Sequence, residues 1–325
     1  MPELRWNPLM KTWTMVAANR QNRPHLPSGQ CPFCPGGGKV PAEFTVMAYP
    51  NDFPVLSTNP EQIKSELSKP YTVKEAYGVC EVLLYTPNHD IKFHELSINH
   101  IAELVGLWSE RYVTLSKDSK IKYIYIFENK GVEVGVTIHH PHGQLYAYSW
   151  VPQKIKEELD NSKEYYQHNG TVLMDDIVKA EVDVKHRIVF ENQHFVSYIP
   201  HFTDYPFGVF ISSKRSITNV SEFTIEERIS LAEVLQSLTA GFDFIYDRPF
   251  PYMMCMHQVP VNEAEYEDAS KYYRWHIEFY PPLRSADKIK WYAGSEMGAG
   301  AAANPLLVED CAEMLRNAIL KAKSA

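Results

Sequence analysis

The chain repeats one order of elements in its two halves, and this repeat constrains the fold more than any other feature of the sequence. Each half has the pattern of an apolar strand, then of an amphipathic helix, and closes on a short histidine motif that leads into a further strand. The motif is His140-Pro-His142 in the first half and His276-Ile-Glu278 in the second. Similar elements in the same order indicate an internal duplication in which only one copy keeps the full chemistry.

Hydrophobic periodicity predicts one long helix in each half. In the first half, apolar residues recur at helical spacing from 98 to 112 behind Ser97, a residue type that caps helix N-termini. The second helix opens with a capping box formed by Thr224 and Glu227. Its predicted apolar side consists of Ile225, Ile229, Leu231, Val234, Leu235 and Leu238.

The grouping of strand and helix patterns favours an α+β fold over a doubly wound parallel sheet. We predict a mainly antiparallel sheet with flanking helices, divided into halves at 1–165 and 166–325. The charged segment 153–170 is predicted to connect the halves. A terminal helix is predicted to start at Asn304-Pro305, with the asparagine as N-cap and the proline as first helical residue.

Composition restricts the class of partner. The 325 residues carry a formal net charge of -8, and this sign argues against nucleic acid and anionic membranes, which need a basic surface. A small-molecule substrate fits better. The sequence lacks the basic start and apolar run of a signal peptide, and no stretch approaches the roughly 20 apolar residues of a membrane span. We therefore expect a cytoplasmic protein with no membrane partner.

The densest chemical signal is the sequence HHPHGQ at 139–144, which follows a glycine-containing stretch at 127–137. Alternate side chains of a strand share one face, so His140 and His142 are expected to lie together. A neutral imidazole is a nucleophile near pH 7, and its attack on a phosphoryl group splits one transfer into two in-line steps. Gln144 is placed to donate a hydrogen bond to a phosphoryl oxygen. Such a short motif is also compatible with metal ligands only, or with polar residues on a strand.

A C-x-x-C motif, Cys31-Pro-Phe-Cys34, supplies two of the four ligands of a tetrahedral zinc site. A lone motif of this kind also fits a redox pair or a chance spacing. The other three of the five cysteines stand alone, so the missing zinc ligands should be histidines. His89 and His140 are the candidates.

Several separate motifs in one order carry a resemblance to a known family. They are RWNPLMKTW, NRQNRP, CPFC, YPNDF, TPNH, FENKG, HPHGQ, WHIEFYPP and GSEM. With them the chain resembles the galactose-1-phosphate uridylyltransferases, the transferase branch of the histidine-triad superfamily, over nearly its whole length. The resemblance implies that the two duplicated halves are histidine-triad-like.

The resemblance also implies roles for individual residues. His142 takes the uridylyl group, and Gln144 steadies its phosphoryl oxygens. The implied zinc ligands are Cys31, Cys34, His89 and His140. The positions that match contacts to uracil, ribose and phosphates are Arg20, Arg23, Asn51, Asp52, Phe53 and Asn129. Arginine suits phosphate, and asparagine or aspartate suits the edges of a base or ribose.

Some members of the family hold a second metal with one glutamate and three histidines. The matching set here has a glutamate in place of one histidine and consists of Glu158, His257, His276 and Glu278. Two imidazoles and two carboxylates still suit iron or zinc. A structural cluster of ion pairs and hydrogen bonds is the alternative for these residues.

The chain departs from the family pattern at predicted substrate contacts. Thr137 stands at a usual serine, and its hydroxyl can contact phosphate in the same way. Lys290 and Glu296 match sugar-contacting positions, but Ser295 stands at a usual tyrosine. The sequence therefore specifies the chemistry more firmly than the hexose.

The resemblance predicts a UDP-glucose:hexose-1-phosphate (galactose-1-phosphate) uridylyltransferase that works by ping-pong transfer through a uridylyl-histidine. It also implies zinc, and a homodimer in which each site borrows the sugar-binding segment of the other subunit. Two alternatives stay open. One is a nucleotide-sugar or dinucleoside-polyphosphate phosphorylase with inorganic phosphate as acceptor, and the other is a zinc-containing nucleotide-binding protein without turnover.

Overall fold

The computed structural model describes residues 2–17, 31–37, 40–63 and 68–325. In chain order its strands are β1 (Glu3–Asn7), β2 (Thr12–Val16), β3 (Met47–Pro50), β4 (Val73–Glu75), β5 (Gly78–Leu84), β6 (Tyr123–Lys130), β7 (His142–Tyr148), β8 (Ile188–Glu191), β9 (Phe195–Tyr198), β10 (Phe210–Ser213), β11 (Tyr252–His257), β12 (His276–Tyr280), β13 (Leu283–Ser285) and β14 (Lys288–Ile289). The α-helices are α1 (Ile98–Leu115), α2 (Gln153–Asn169), α3 (Leu173–Val184), α4 (Ile225–Ile245), α5 (Gly294–Ala299) and α6 (Val308–Ser324).

The main sheet has nine strands in the order β3-β5-β7-β6-β11-β12-β10-β9-β8, with every neighbouring pair antiparallel. The order is mirrored about the β6–β11 pair. In the first half β5, α1, β6 and β7 follow one another, and in the second half β10, α4, β11 and β12 do so in the same way. The predicted α+β fold with an internal duplication is confirmed.

The two long helices begin where their capping residues predicted. Ser97 Oγ accepts a hydrogen bond from the backbone N–H of His100 at 3.2 Å, at the start of α1. At the start of α4, the Glu227 N–H donates to Thr224 Oγ1 at 3.2 Å, and the Thr224 N–H donates to Glu227 Oε2 at 2.9 Å. These reciprocal bonds satisfy N–H groups that have no partner within the helix.

Two local predictions are wrong. The predicted apolar side of α4 includes Ile225 and Ile229, but these residues are 71% and 41% exposed and lie in the first turns of the helix. The terminal helix α6 begins at Val308 rather than at Pro305. Asn304 is used otherwise, since its side-chain amide donates to the Thr203 carbonyl at 3.0 Å and ties this loop to the second half.

The connecting segment between the halves forms helix α2, so the predicted division between 165 and 166 falls inside a helix and stays a prediction. On one face, the main sheet packs against α1, α4 and α6 through a single large apolar core. On β7, Leu145 and Ala147 point into that core. The residues that alternate with them, His142 and Gln144, therefore point to the opposite face. None of the helices in the described ranges is long and apolar enough to cross a membrane.

Candidate active site and metal clusters

Four side chains from three separate segments meet in the first half. Their ligand atoms all lie within 4.8 Å of one another, and the residues are Cys31, Cys34, His89 and His140. Cys34 Sγ is 3.5 Å from His89 Nδ1 and 3.7 Å from His140 Nδ1. Two sulfurs and two imidazole nitrogens match the ligand set of a tetrahedral zinc site.

The protonation of His140 suits a metal ligand. A carbonyl oxygen only accepts hydrogen bonds, so the 2.8 Å contact with Thr86 O identifies Nε2 as the N–H donor of His140. The lone pair then lies on Nδ1, the atom that faces Cys34. Burial lowers the pKa of His140, which also favours the neutral ring. A second ring nitrogen bonded to a carbonyl is typical of metal-ligating histidines.

The same reasoning orients His142. Its Nδ1 lies 2.7 Å from the carbonyl oxygen of His140, so Nδ1 donates and the lone pair is on Nε2. Two residues further along β7, Gln144 Oε1 accepts from the Tyr146 hydroxyl at 3.4 Å, which leaves the amide N–H₂ as the donating end. The prediction that His140 and His142 share one strand face is wrong, because β7 begins only at His142. His142 shares its face of β7 with Gln144 instead.

An aromatic residue that the motif analysis missed links the cysteine pair to the histidine strand. The Phe33 ring centroid is 5.1 Å from that of His142, 6.3 Å from that of His140 and 6.0 Å from that of Tyr49. Phe33 is buried between the cysteines. A metal held at this cluster would fix Phe33 against His142, and the only sequence signal was an aromatic residue inside the C-x-x-C.

A cavity of about 450 Å³ opens beside His142. Besides His140 and His142, it is lined by Asn129 and by residues of the loop that follows β6, including Gly131 and Val136. The predicted diphosphate contact Asn129 therefore faces the same space as the predicted nucleophile. This space is large enough for part of a nucleotide sugar.

Family models match nearly the whole chain. Residues 1–152 match the galactose-1-phosphate uridyl transferase N-terminal domain, and residues 158–324 match the C-terminal domain of the same family. The chain belongs to the galactose-1-phosphate uridyl transferase family. The galactose-1-phosphate uridylyltransferase of Thermotoga maritima is 38% identical over 97% of this chain and 98% of its own length.

Solved structures agree with membership of this family. A structure described as that of a uridylyltransferase superposes with a TM-score of 0.89 at 32% identity, covering 98% of this chain and 99% of the other. An ADP-glucose phosphorylase from Arabidopsis thaliana, solved with bound ADP-glucose, superposes with a TM-score of 0.75 at 25% identity, covering 97% and 99%. The uridyl transferase fold is therefore shared with a phosphorylase.

Three of the predicted nucleotide contacts of this uridyl transferase family member, Asn51, Asp52 and Phe53, directly follow β3. Asp52 Oδ2 accepts from the Tyr49 hydroxyl at 2.8 Å, and Asn51 Oδ1 accepts from the Phe53 backbone N–H at 2.9 Å. The register places Tyr49 opposite Val82 of β5, which lies opposite Gln144 of β7. The β3 end thus flanks the face that carries Gln144. Arg20 and Arg23 lie outside the described residues, and Thr137 follows the loop that lines the cavity.

The predicted sugar contacts lie elsewhere in this chain. Lys290 Nζ is 3.7 Å from Glu296 Oε1 and 4.4 Å from the centroid of the Tyr292 ring. Glu296 Oε2 also accepts from the Ala293 N–H at 3.1 Å, at the start of α5. Neither Lys290 nor Glu296 belongs to the lining of the cavity beside His142.

A second group that could hold a metal lies in the other half of this uridyl transferase. The ligand atoms of Glu158, His257 and His276 lie within 4.8 Å of one another, and the register of β11 and β12 pairs the two histidines. Glu278 joins them, since its Oε1 is 3.3 Å from His276 Nε2. Its Oε2 is 2.7 Å from Lys154 Nζ, so this cluster already contains its own cation.

Electrostatics in the second cluster follow from these contacts. Burial raises the pKa of Glu278, but His257, His276 and Lys154 outweigh burial and hold it well below its usual range. Burial lowers the pKa of His276, and the neighbouring Glu278 carboxylate more than reverses that effect. The set is therefore stabilised as an array of opposite charges.

Proposed function

We propose that the protein is a UDP-glucose:hexose-1-phosphate uridylyltransferase, with galactose 1-phosphate as acceptor and with a uridylyl-histidine as intermediate. The observation that carries the proposal is the geometry of His142. Its Nδ1–H is bonded to the His140 carbonyl, its Nε2 carries the lone pair, and it faces a cavity shared with Asn129. Membership of the family and full-length similarity to named uridylyltransferases support it.

The first step forms a bond between His142 Nε2 and the α-phosphorus of UDP-glucose. The bond from that phosphorus to the bridging oxygen breaks, and glucose 1-phosphate leaves with the electron pair. Because the leaving group is a phosphate, it needs little general-acid help. The ring becomes cationic, and the His140 carbonyl that accepts its Nδ1–H stabilises that charge.

The second step reverses the first with a new partner. A phosphate oxygen of galactose 1-phosphate attacks the same phosphorus, the N–P bond breaks, and UDP-galactose leaves while His142 Nε2 regains its lone pair. In both steps charge shifts among the phosphoryl oxygens, and the donating amide of Gln144 is on the right face to stabilise it. The enzyme thus alternates between two forms, which predicts ping-pong kinetics.

We propose that zinc is held by the Cys31, Cys34, His89 and His140 cluster. The donor set and the lone pair on His140 Nδ1 fit it. Zinc held there would link three chain segments as a structural ion. Phe33, beside His142, and the His140 carbonyl are the residues through which this link would position the nucleophile.

We extend the metal proposal to a second ion, iron or zinc, at Glu158, His257, His276 and Glu278. A homodimer with a shared sugar site is also proposed, since Lys290 and Glu296 do not line the cavity beside His142. A segment from a partner subunit would bring these groups to that cavity. The cytoplasmic location stays a prediction.

The decisive experiment is incubation with UDP-glucose labelled at the α-phosphorus and no acceptor. Label bound to the protein, stable in base and released in acid, is expected, because a phosphoramidate has this lability. Addition of galactose 1-phosphate should then release the label as UDP-galactose. Protein that stays unlabelled at saturating UDP-glucose would contradict the proposal.

The alternative acceptor is inorganic phosphate, and the similarity to an ADP-glucose phosphorylase favours testing it. Labelled protein is divided between galactose 1-phosphate and phosphate, and the experiment is repeated with ADP-glucose as donor. Faster release of the label by phosphate than by galactose 1-phosphate would show that the protein is a phosphorylase and not a uridylyltransferase. Nucleotide binding without any labelling of the protein would support the other alternative, a zinc-containing nucleotide-binding protein without turnover.

A further inference from the structure

A row of polar side chains crosses the apolar core directly beneath the strand that carries His142. It lies on the helix-facing side of the sheet, and its members are Tyr85, Glu128, Lys130, Asp243 and Tyr252. Most other helix-facing residues of β5, β6 and β7 are buried and apolar, and they include Leu83, Ile124, Ile126, Leu145 and Ala147. On the same side Glu81 is paired with Arg111 of α1, so the row and this ion pair are polar groups within an otherwise apolar layer.

Tyr85 passes beneath β7 at Gly143, the residue between His142 and Gln144. A Cβ atom at position 143 would lie 2.3 Å from the Tyr85 hydroxyl oxygen, so the glycine leaves the room that this hydroxyl occupies. The Tyr85 backbone N–H also donates to the Pro141 carbonyl at 3.1 Å. Tyr85 thus supports the histidine strand from below at two points.

Glu128 lies between Tyr85 and Tyr252. The Tyr252 hydroxyl donates to Glu128 Oε1 at 2.9 Å. The Tyr85 hydroxyl is buried without a hydrogen-bond partner among the described residues, and burial together with the charge of Glu128 raises its pKa. Lys130 Nζ lies 5.4 Å from the Tyr252 ring centroid and 2.7 Å from Asp243 Oδ1 on α4. The row therefore anchors the support beneath β7 to a core helix.

The duplicated half shows that the fold does not require a carboxyl group at the position of Glu128. The register of β11 and β12 places Met256 at the equivalent position, and Ile277 stands in place of Gly143. Both residues are apolar and buried. Burying polar and charged groups costs free energy that an apolar layer avoids. Perturbed buried groups of this kind are concentrated at functional sites. Tyr85, Glu128 and Lys130 moreover line the cavity beside His142.

We propose that Tyr85 and Glu128 position the nucleophile. They set the height and tilt of the Gly143 peptide, and with it the His142 ring and the Gln144 amide, for both transfer steps. This inference rests on the proposed uridylyl transfer. Both are positioning residues that act through the strand, and a displacement of about 1 Å at a reacting group is enough to cost roughly 100-fold in rate.

The test compares Tyr85→Phe and Glu128→Gln with a matched control, Tyr198→Phe. Tyr198 is an equally buried tyrosine in the second half, and its hydroxyl lies 3.3 Å from Ser212 Oγ. Each variant removes or neutralises one buried polar group with almost no change of shape. Thermal unfolding, the rate constant for labelling by UDP-glucose, and the UDP-glucose concentration at half-maximal rate are measured for each.

We expect the labelling rate constant to fall by about 10- to 100-fold in Tyr85→Phe and Glu128→Gln, with half-saturation changed by less than about twofold. Tyr198→Phe should lose a similar amount of thermal stability and keep its rate within about twofold. If Glu128→Gln does not fold, Tyr252→Phe removes the other hydroxyl from the same carboxyl and takes its place.

Other results would overturn the inference. Unchanged rates in the two active-half variants, or an equal fall in Tyr198→Phe, would mean that the row only stabilises the fold. A rise in half-saturation at unchanged rate would mean a binding role instead. Wild-type protein that takes no label would contradict the proposed function itself, before any variant is compared, and the inference would fall with it.

Discussion

Each half of the molecule orients a histidine by the same hydrogen bond, but the side chains beside the two histidines differ in charge. His142 and His276 are the first residues of equivalent strands, and each donates from Nδ1 to the carbonyl of the residue two positions earlier, at 2.7 and 3.1 Å. Each therefore turns Nε2 away from the backbone. Both histidines line a cavity, of about 450 Å³ at His142 and about 320 Å³ at His276, but Nε2 of His276 lies 3.3 Å from Oε1 of the Glu278 carboxylate.

The residue two positions later differs in a way that matches this contrast. Gln144 is a neutral donor, and Glu278 is a carboxylate held by Lys154. A donor beside the imidazole suits a phosphoryl group that gains charge, and a carboxylate suits a cation. The strand motif thus positions an imidazole in both halves, and under the proposed function the neighbouring side chains make His142 a nucleophile and His276 a metal ligand.

The largest effect is expected when the two histidines are exchanged for other residues. His142→Gly should reduce labelling by UDP-glucose on the order of 10⁴-fold or more, because no other group supplies the bond to phosphorus. His276→Asn should lower thermal stability and still take label, since His276 is 2% exposed and packed in the second cluster. Label incorporation and thermal unfolding of both variants check this.

Rescue provides the control for that comparison. Free imidazole should restore part of the transfer in His142→Gly, because the removed ring leaves a space of its own shape beside the cavity. A His276→Asn protein with normal stability and no labelling would break the proposed division between a reacting half and a binding half.

The next effect tests the neighbour rather than the histidine. Gln144→Glu gives the first half the carboxylate of the second, and it should slow labelling by about 10²- to 10³-fold, because a donor is lost and a negative charge faces the phosphoryl oxygens. Half-saturation by UDP-glucose and the rate constant are measured separately. A rate within twofold of wild type would remove Gln144 from the transition state.

The two metal clusters should differ in how firmly they hold an ion. Cys31→Ser should remove about one zinc per chain and lower thermal stability, since thiolate ligands link separate segments there. The second cluster should release its ion to a mild chelator first, because Lys154 competes for Glu278. Metal analysis of wild type, Cys31→Ser and Glu158→Gln checks both statements; full zinc in Cys31→Ser would refute the first.

A smaller effect is expected on the choice of sugar, for which the predicted contacts lie in the second half. Glu296→Ala should narrow the ratio of specificity constants between galactose 1-phosphate and its epimer by roughly tenfold, since the carboxylate that would distinguish the position of a sugar hydroxyl is then absent. Labelling of His142 by UDP-glucose should change less. An unchanged ratio would exclude Glu296 from the sugar site and strengthen the phosphorylase alternative.

The smallest effect concerns stability against pH in the polar row. Burial raises the pKa of Glu128 to about 7, although Tyr252, Lys130 and Tyr85 oppose this. A carboxyl whose pKa is higher in the folded state stabilises the fold below its unfolded pKa of about 4.3, and this contribution declines as pH rises towards 7. Glu128→Gln should remove that decline, worth roughly 1–3 kcal/mol between pH 4.5 and 8. Chemical unfolding at several pH values, with Tyr198→Phe as control, measures it.

Local patterns in the sequence were sufficient to predict the long helices, the duplication and the strand that carries His142. The helix caps at Ser97 and Thr224 depend on contacts within three residues, and the structure confirms them. The duplication was predicted from the order of apolar segments, and the mirrored strand order confirms it. The HPHGQ motif predicted a strand, but the expected shared face of His140 and His142 was wrong, because the strand begins only at His142. The failure at Ile225 and Ile229 has the same origin, because periodicity defines an apolar side of a helix without showing where its neighbours end.

Short-range conformational preferences, and the chemical groups from which a site can be built, thus follow from the sequence alone. The tertiary structure decided which groups meet: Cys34 reaches His89 and His140 across 55 and 106 residues, Phe33 contacts His142, and Tyr85 crosses under Gly143 towards Glu128. These contacts depend on the order and register of strands that are far apart in the chain. Pairing of that kind is set by the packing of the whole core, and no local window of residues contains it.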